Sequence, residues 1–331
     1  MALKVLFIGG SGIISSACSA LAVEQGIDLY LFNRGQTGSL RPIPEGATVL
    51  TGDIHHPPDM QRYLDEFKFD VVVDWIAFLP QDVQRDIETF NGKVGQYVFI
   101  SSASAYQKPI QHLPITEETP LVNPFWQYSR DKAACEQTLM EAYQKDGFPV
   151  TIVRPSHTYD KTLLPFQGGY TFVQRMRQGK PVIIHGDGTS LWVLTHHKDF
   201  AVGFNGLLGN DKAIGEAFQI TSDMLLSWNQ IYLAVAEAAG ESLKPVYIPS
   251  TVINKYDSNW GAGLLGDKAY SVIFDNTKIK SLVPEFNPQI PWSQGSREVI
   301  AWYDRHPEYQ VVDETFDQLV DKIIAEVGYP V

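Results

Sequence analysis

Tyr128 and Lys132 stand four residues apart in Trp126-Gln127-Tyr128-Ser129-Arg130-Asp131-Lys132, and Ser102 ends the strand-like run Tyr97-Val98-Phe99-Ile100-Ser101-Ser102. On a helix, residues i and i+4 share a face, so the Lys132 ammonium can lie beside the Tyr128 phenol. A free phenol, with a pKa of about 10, is a poor base at neutral pH, and a nearby positive charge favours its ionised form. The three residues are therefore a candidate proton-transfer site. Tyr and Lys also share helix faces without any chemical role, so the elements that position them carry the decision.

The first half of the chain alternates short apolar runs with helix-like segments. Strands are expected near residues 3–8, 28–32, 47–51, 69–75, 96–101 and 149–153, with helices over 12–25, 58–67, 81–91 and 125–146. Gly26 and Gly147 end the first and last of these helices. Runs suited to burial on both faces, joined by helical crossovers, predict an α/β protein with a Rossmann-type, doubly wound parallel sheet. Past Arg154 the pattern loosens, with more Pro, Gly and Trp. The expected division is a dinucleotide-binding domain over 1–155, with later returns of the chain to it, and a smaller irregular C-terminal substrate lobe over 156–331.

With 331 residues, 44% of them hydrophobic and 19% charged, the composition is ordinary for a globular protein. A net charge of -12 argues against a nucleic-acid or anionic-membrane partner. No apolar run approaches the ~20 residues of a membrane span. The N-terminus enters a strand directly without a signal-peptide pattern, so a cytoplasmic protein is expected. Cys18 and Cys135 form neither a disulfide framework nor a metal knot.

Gly9-Gly10-Ser11-Gly12-Ile13-Ile14-Ser15 follows the first strand and opens the first helix. Backbone N–H groups and the helix dipole can hold a pyrophosphate there, making Gly9, Ser11, Gly12, Ile13 and Ile14 candidate cofactor contacts. At the end of the second strand, a carboxylate would select NAD, but the chain has Asn33 and Arg34. Neutral Asn33 removes repulsion toward a 2′-phosphate and Arg34 can pair with it, so the expected cofactor is NAD(P), with NADP favoured over NAD. The competing reading makes Arg34 a solvated turn residue before Gly35. Asp53, followed by Ile54, is placed either to accept from an adenine amino group or to form a turn.

In this order the glycine turn, Asp53, Ser102 and the Tyr128/Lys132 pair resemble the extended short-chain dehydrogenases/reductases, especially their nucleotide-sugar epimerase/dehydratase branch. Phe99-Ile100-Ser101-Ser102-Ala103-Ser104-Ala105-Tyr106, Glu117-Glu118-Thr119-Pro120, Glu136, Val153-Arg154-Pro155 and Gly186-Asp187-Gly188 extend the resemblance over nearly the whole chain. The resemblance implies that Tyr128 is the general acid/base and that Ser102 hydrogen-bonds the reacting oxygen. It also implies that Lys132 binds the nicotinamide ribose and lowers the tyrosine pKa. By the same match, Ala77 and Phe78 would line the cofactor cleft and Pro155 would lie near the carboxamide. Ser104 and Tyr106 join the substrate-side candidates. A homodimer through the helices near 81–91 and 125–146 is likewise implied.

Two departures narrow this expectation. Family 4,6-dehydratases carry Asp-Glu directly after the active-site hydroxyl residue, whereas this chain has Ala103 and Ser104, so dehydration is disfavoured. The cysteine of 3,5-epimerising members is not close after Ser102 either. Nucleotide-sugar members place a pyrophosphate-gripping arginine shortly after Gly-Asp-Gly, and here Trp192 falls in that place. Either the substrate is a carbohydrate without a nucleotide diphosphate, or another cation binds it. Trp192 reads as a face for stacking on a ring or as packing between lobes. His157, where asparagine is usual, is read evenly as a substrate contact or a structural histidine. Trp260, in Asn259-Trp260-Gly261-Ala262-Gly263, is a candidate apolar cap over the pocket. His196-His197 has side chains that diverge and no third partner, so no metal is expected. The functional expectation is hydride transfer at a secondary alcohol or ketone of a sugar-like small molecule, by an oxidoreductase or an epimerase. Its rival is a non-catalytic, dinucleotide-binding or RNA-associated relative.

Overall fold

Val5 and Phe7 point into one apolar layer while Leu6 and Ile8 point into another, which is the alternation of a strand buried on both faces. These residues lie in β1 (Lys4–Ile8) of the computed structural model, which describes residues 2–35 and 40–327. β2 (Asp28–Asn33), β3 (Thr48–Thr51), β4 (Val71–Asp74), β5 (Gln96–Ile100) and β6 (Val150–Pro155) flank it in the parallel order β6-β5-β4-β1-β2-β3. α1 (Ser15–Glu24) covers one face, burying Cys18 and Ala22. α2 (Pro57–Glu66), α3 (Pro80–Phe90) and α4 (Gln127–Asp146) cover the other, contributing Met60, Val83, Phe90, Cys135 and Leu139. The doubly wound sheet is therefore present, with every expected strand and helix of the first half in place.

The chain then leaves the sheet through β7 (His157–Tyr159), α5 (Tyr170–Arg177), β8 (Val182–His185) and β9 (Leu191–His196). It returns through α6 (His197–Asn205), which packs on α1, and β10 (Ala217–Ile220), which pairs in parallel with β6. Among the described residues the central sheet thus has seven strands, one more than the sequence suggests. β10 is four residues long, like β3 and β4, and is separated from β6 in the chain by the elements of the excursion. β11 (Leu225–Ser227), α7 (Trp228–Ala239) and β12 (Pro245–Ile248) complete two small sheets, β11-β9-β7 and β12-β8.

The second lobe is also more regular than expected. It has its own aromatic-rich core, in which Phe172, Trp228, Tyr232, Trp260 and Trp292 are buried together with aliphatic residues of α5, α7 and β8. None of the described helices is long and apolar enough to cross a membrane.

Candidate active site

The turn after β1 needs glycine at two successive positions, because Gly9 and Gly10 have φ of 101° and 95°. A Cβ on Gly10 would also stand 2.7 Å from Leu31 Cδ2. Ser15 Oγ accepts from the Gly12 amide at 2.8 Å and is buried, so serine fills the place where a third small residue lets helix and strand approach. The cleft above this turn has a volume of about 920 Å³ and runs from Arg34, Asp53 and His55 at one end to Lys132, Pro155 and Ser156 at the other. Its elongated lining, from a strand-turn-helix to the far strand ends, fits a dinucleotide.

α4 starts where Trp126 is extended and ends at Gly147 with φ of 70°, so Tyr128 and Lys132 occupy its first turns. Lys132 is buried, and its Nζ donates to the carbonyls of Ala77 and Ile100, each at 2.7 Å. Burial pushes its pKa down to about 8. Two of its three N–H donors are thus committed to the ends of β4 and β5, and Phe78 lies 4.5 Å from Nζ by ring centroid. Ala77 is held in turn by Asp74, whose Oδ1 accepts from the amides of Ile76 and Ala77 at 2.6 and 2.8 Å. Burial and neighbouring Asp86 push the Asp74 pKa well up, against the pull of Arg85.

Tyr128 differs from the expectation in one respect. Burial raises its phenol pKa, hydrogen bonding to Ser102 opposes the rise, and the charge of Asp267 adds to it. The Lys132 ammonium is drawn to the two carbonyls and stands 5.9 Å from the ring centroid. Ser102 Oγ lies 2.9 Å from Ser104 Oγ, which accepts from Ser129 Oγ at 2.9 Å. Behind them Glu136 accepts from Ser101 Oγ and from Arg154 Nε and Nη2, the guanidinium contacts lying at 2.9 and 2.6 Å. This buried pair ties α4 to β5 and β6.

A second cavity of about 240 Å³ opens beside the first and is lined by Ala103, Ser104, Trp126, His157, Trp192, Asp267, Lys268 and Phe274. Ser102, Tyr128 and Ser156 line both cavities. The three hydroxyls therefore stand at the junction of a nucleotide-sized cleft and a smaller pocket.

Of the residues named from sequence, Gly9, Ser11, Gly12, Ile13, Ile14, Asn33, Arg34, Asp53, Ile54, Phe78 and Pro155 line the cleft. Ala77 contributes its carbonyl to Lys132 rather than a side chain to the lining. Ser104, His157 and Trp192 line the pocket. Two substrate candidates are corrected. Tyr106 is fully buried away from both cavities, with its hydroxyl accepting from Arg154 Nη1 at 3.2 Å. Trp260 is no cap, because its ring packs against Phe172 and Phe316 inside the second lobe. The same segment instead brings Asp267 and Lys268 to the pocket on a π-helical turn (Leu264–Lys268), which the sequence reading missed. His196 serves the fold, with Nδ1 accepting from the Lys198 amide and Nε2 lying 3.1 Å from Glu298.

Sheet order, glycine turn and cleft define an extended short-chain dehydrogenase/reductase architecture. The chain belongs to the NAD dependent epimerase/dehydratase family, whose model matches residues 5–221. It is 29% identical over 249 residues to a chloroplast stem-loop binding protein of Arabidopsis thaliana, a match covering 72% of this chain and 63% of that protein. It is 25% identical over 295 residues to the 2′-dehydrokanamycin reductase of Streptomyces kanamyceticus, covering 86% and 80% of the two chains. Its fold matches that of an epimerase from Methanothermobacter thermautotrophicus with a TM-score of 0.75 at 18% identity, over 93% of this chain and 94% of the other.

Two consequences of this geometry are measurable. Glu136→Ala leaves the Arg154 charge buried without its partner and is expected to cost roughly 3–5 kcal/mol of unfolding free energy in urea. A loss under about 1 kcal/mol would show that the pair does not hold the site together. The second concerns Lys132, whose folded pKa of about 8 lies below the ordinary lysine value, so between the two the unfolded chain binds more protons. The stability of the wild type relative to Lys132→Met is therefore expected to rise as the pH is raised from about 8 toward ~10.4. Parallel pH profiles of the two urea midpoints would contradict this.

Proposed function

We propose that the protein is an NAD(P)-dependent reductase or epimerase acting at a secondary alcohol or ketone of a sugar-like molecule without a nucleotide diphosphate. The observation that carries this reading is the junction. Ser102 and Tyr128 face both the dinucleotide-sized cleft and a pocket large enough for a small polyol. Bound nicotinamide supplies or accepts the hydride and, when oxidised, adds positive charge beside the phenol.

Tyr128 Oη gives a proton to the carbonyl oxygen in reduction and takes it from the hydroxyl in oxidation. Its raised pKa keeps it protonated at neutral pH, which suits the donor role. Ser102 Oγ, steadied by Ser104 and Ser129, hydrogen-bonds the same oxygen. The third N–H of Lys132 is read as the donor to the cofactor ribose. Ala103 and Ser104 stand where a dehydratase needs an acid and a base, which supports simple redox chemistry over water elimination. The name of the reductase relative supports a substrate without a nucleotide, as does Trp192 in place of a pyrophosphate-binding arginine; Lys268 beside it is the cation that the alternative, a diphosphate, would require.

Arg34 lines the adenosine end of the cleft, and Asn33 turns its Oδ1 to the Gly35 amide at 2.9 Å, leaving no carboxylate at the end of β2. This supports NADP over NAD. The stem-loop name of one relative favours a second reading, RNA association, which the net charge of -12 opposes.

Tyr128→Phe is expected to lower the rate of carbonyl-dependent NAD(P)H oxidation by roughly 10²–10⁴-fold while leaving cofactor affinity within a few-fold of wild type. Undiminished turnover would remove Tyr128 from the acid/base role, and salt-sensitive RNA binding without hydride transfer to any carbonyl would favour the rival. Arg34→Ala is expected to weaken NADPH binding by roughly tenfold or more with little change for NADH. Equal losses, read by equilibrium fluorescence, would take Arg34 out of the phosphate site.

A further inference from the structure

The pocket beside Tyr128 is furnished for an electron-rich guest. Trp192 is buried, and its indole Nε1–H has no partner among the described residues. An indole N–H can only donate, so what satisfies it must accept. His157 Nε2, on the same wall, is also buried without a partner. Burial, with Lys268 adding to the effect, lowers its pKa to about 3, so the imidazole is neutral and donates from Nε2 in one of its two tautomers. An unmade hydrogen bond at a buried group costs free energy, and both residues line the cavity, so a ligand that reached the two nitrogens would recover it.

Charge points the same way. Lys268 Nζ lies 5.6 Å from the Trp126 ring centroid and 5.7 Å from that of Trp192, between the two indoles. The local carboxylate, Asp267, is bracketed by Lys268 at 3.6 Å and buried Lys108 at 3.8 Å. Lys268 is the ammonium that reaches the pocket lining, while Lys108, whose pKa burial lowers, engages Asp267 from outside that lining.

The turn that delivers Lys268 is firmly seated. Its carbonyl accepts from Trp228 Nε1 at 3.2 Å and Ser190 Oγ at 3.3 Å, and His185 Nε2 lies 3.0 Å away. Asn123 Nδ2 donates to both Gly266 O and Ser104 O, at 2.6 and 2.8 Å. A single-turn π-helix inserted here, at a pocket wall, sets the direction of the side chain that follows it.

We infer that Lys268, with Trp192 Nε1 and His157 Nε2, binds an anionic group carried by the substrate itself, a carboxylate or a phosphoryl group, and so selects acidic sugars over neutral ones. This rests on the reading of the pocket as the substrate site. The cavity of about 240 Å³ is the room of roughly eight waters, enough for a monosaccharide-sized body and its acidic substituent.

The test is equilibrium binding of three probes, glucose, glucuronate and glucose 6-phosphate, to the purified full chain saturated with NADP, read by tryptophan fluorescence and calorimetry. At least one of the acidic sugars is expected to bind roughly tenfold or more tightly than glucose, and which of them does so separates carboxylate from phosphoryl recognition. Lys268→Gln is expected to abolish the preference and Lys268→Arg to restore most of it, an outcome that lost packing alone would not produce. Equal affinities, no binding of any probe, or a preference that survives in Lys268→Gln would overturn the inference. Because the readout is binding, its failure leaves the hydride-transfer role of Tyr128 standing, and failure of the Tyr128→Phe test leaves this result intact.

Discussion

The position of the Lys132 ammonium between two backbone carbonyls is the constraint on which the site depends. Its contacts with Ala77 and Ile100 join α4 to the C-terminal ends of β4 and β5, where the sheet opens toward the cleft. A buried ammonium is costly, and the charge-assisted bonds to two fixed carbonyls offset the cost only in one geometry. Each carbonyl is held by its own supports, Asp74 beneath Ala77 and the parallel pairing of β5 with β6 for Ile100. One turn earlier on the same helix, Tyr128 is placed as a consequence. The Arg154 and Glu136 pair performs the same service one turn later, so α4 is pinned to the sheet at two levels.

The second lobe supplies what the sheet does not. Parallel strands end in a common edge, and a pocket above that edge needs walls from elsewhere in the chain. β7 and β9 bring His157 and Trp192, and the π turn brings Asp267 and Lys268. β10 returns to the sheet and pairs with β6, the strand from which the chain leaves toward His157, so the excursion that carries the pocket wall is tied to the sheet where it leaves and where it returns.

Much of this was legible in the sequence for physical reasons. Strands buried on both faces must be continuous apolar runs, so β1, β2, β4, β5 and β6 stand out. Glycines at positive φ followed by a helix mark the phosphate turn, and the spacing of Tyr128 and Lys132 marks a helix face. What escaped depends on tertiary context. β10 follows a long excursion of other elements, and nothing local shows that it rejoins the sheet beside β6. Tyr106 and Trp260 are large aromatics whose types suit a pocket or a core equally, and only packing decides between them. Glu136 falls four residues after Lys132 and so lies on the same face, a clue that was available, whereas its partner Arg154 is distant in the chain. Lys268 is brought to the pocket by an irregular turn with no period to read.

The most direct test of the central claim, that Tyr128 and Ser102 serve hydride transfer between the two cavities, is isotope tracing. The protein would be incubated with NADPH or NADH deuterated at the nicotinamide C4 position and a panel of neutral and acidic keto sugars, and the products read by mass spectrometry and NMR. The account predicts one deuterium on the carbinol carbon of a reduced sugar, on one face if the protein is a reductase and on both if it is an epimerase. Cofactor bound in the cleft with no deuterium in any sugar product would contradict it.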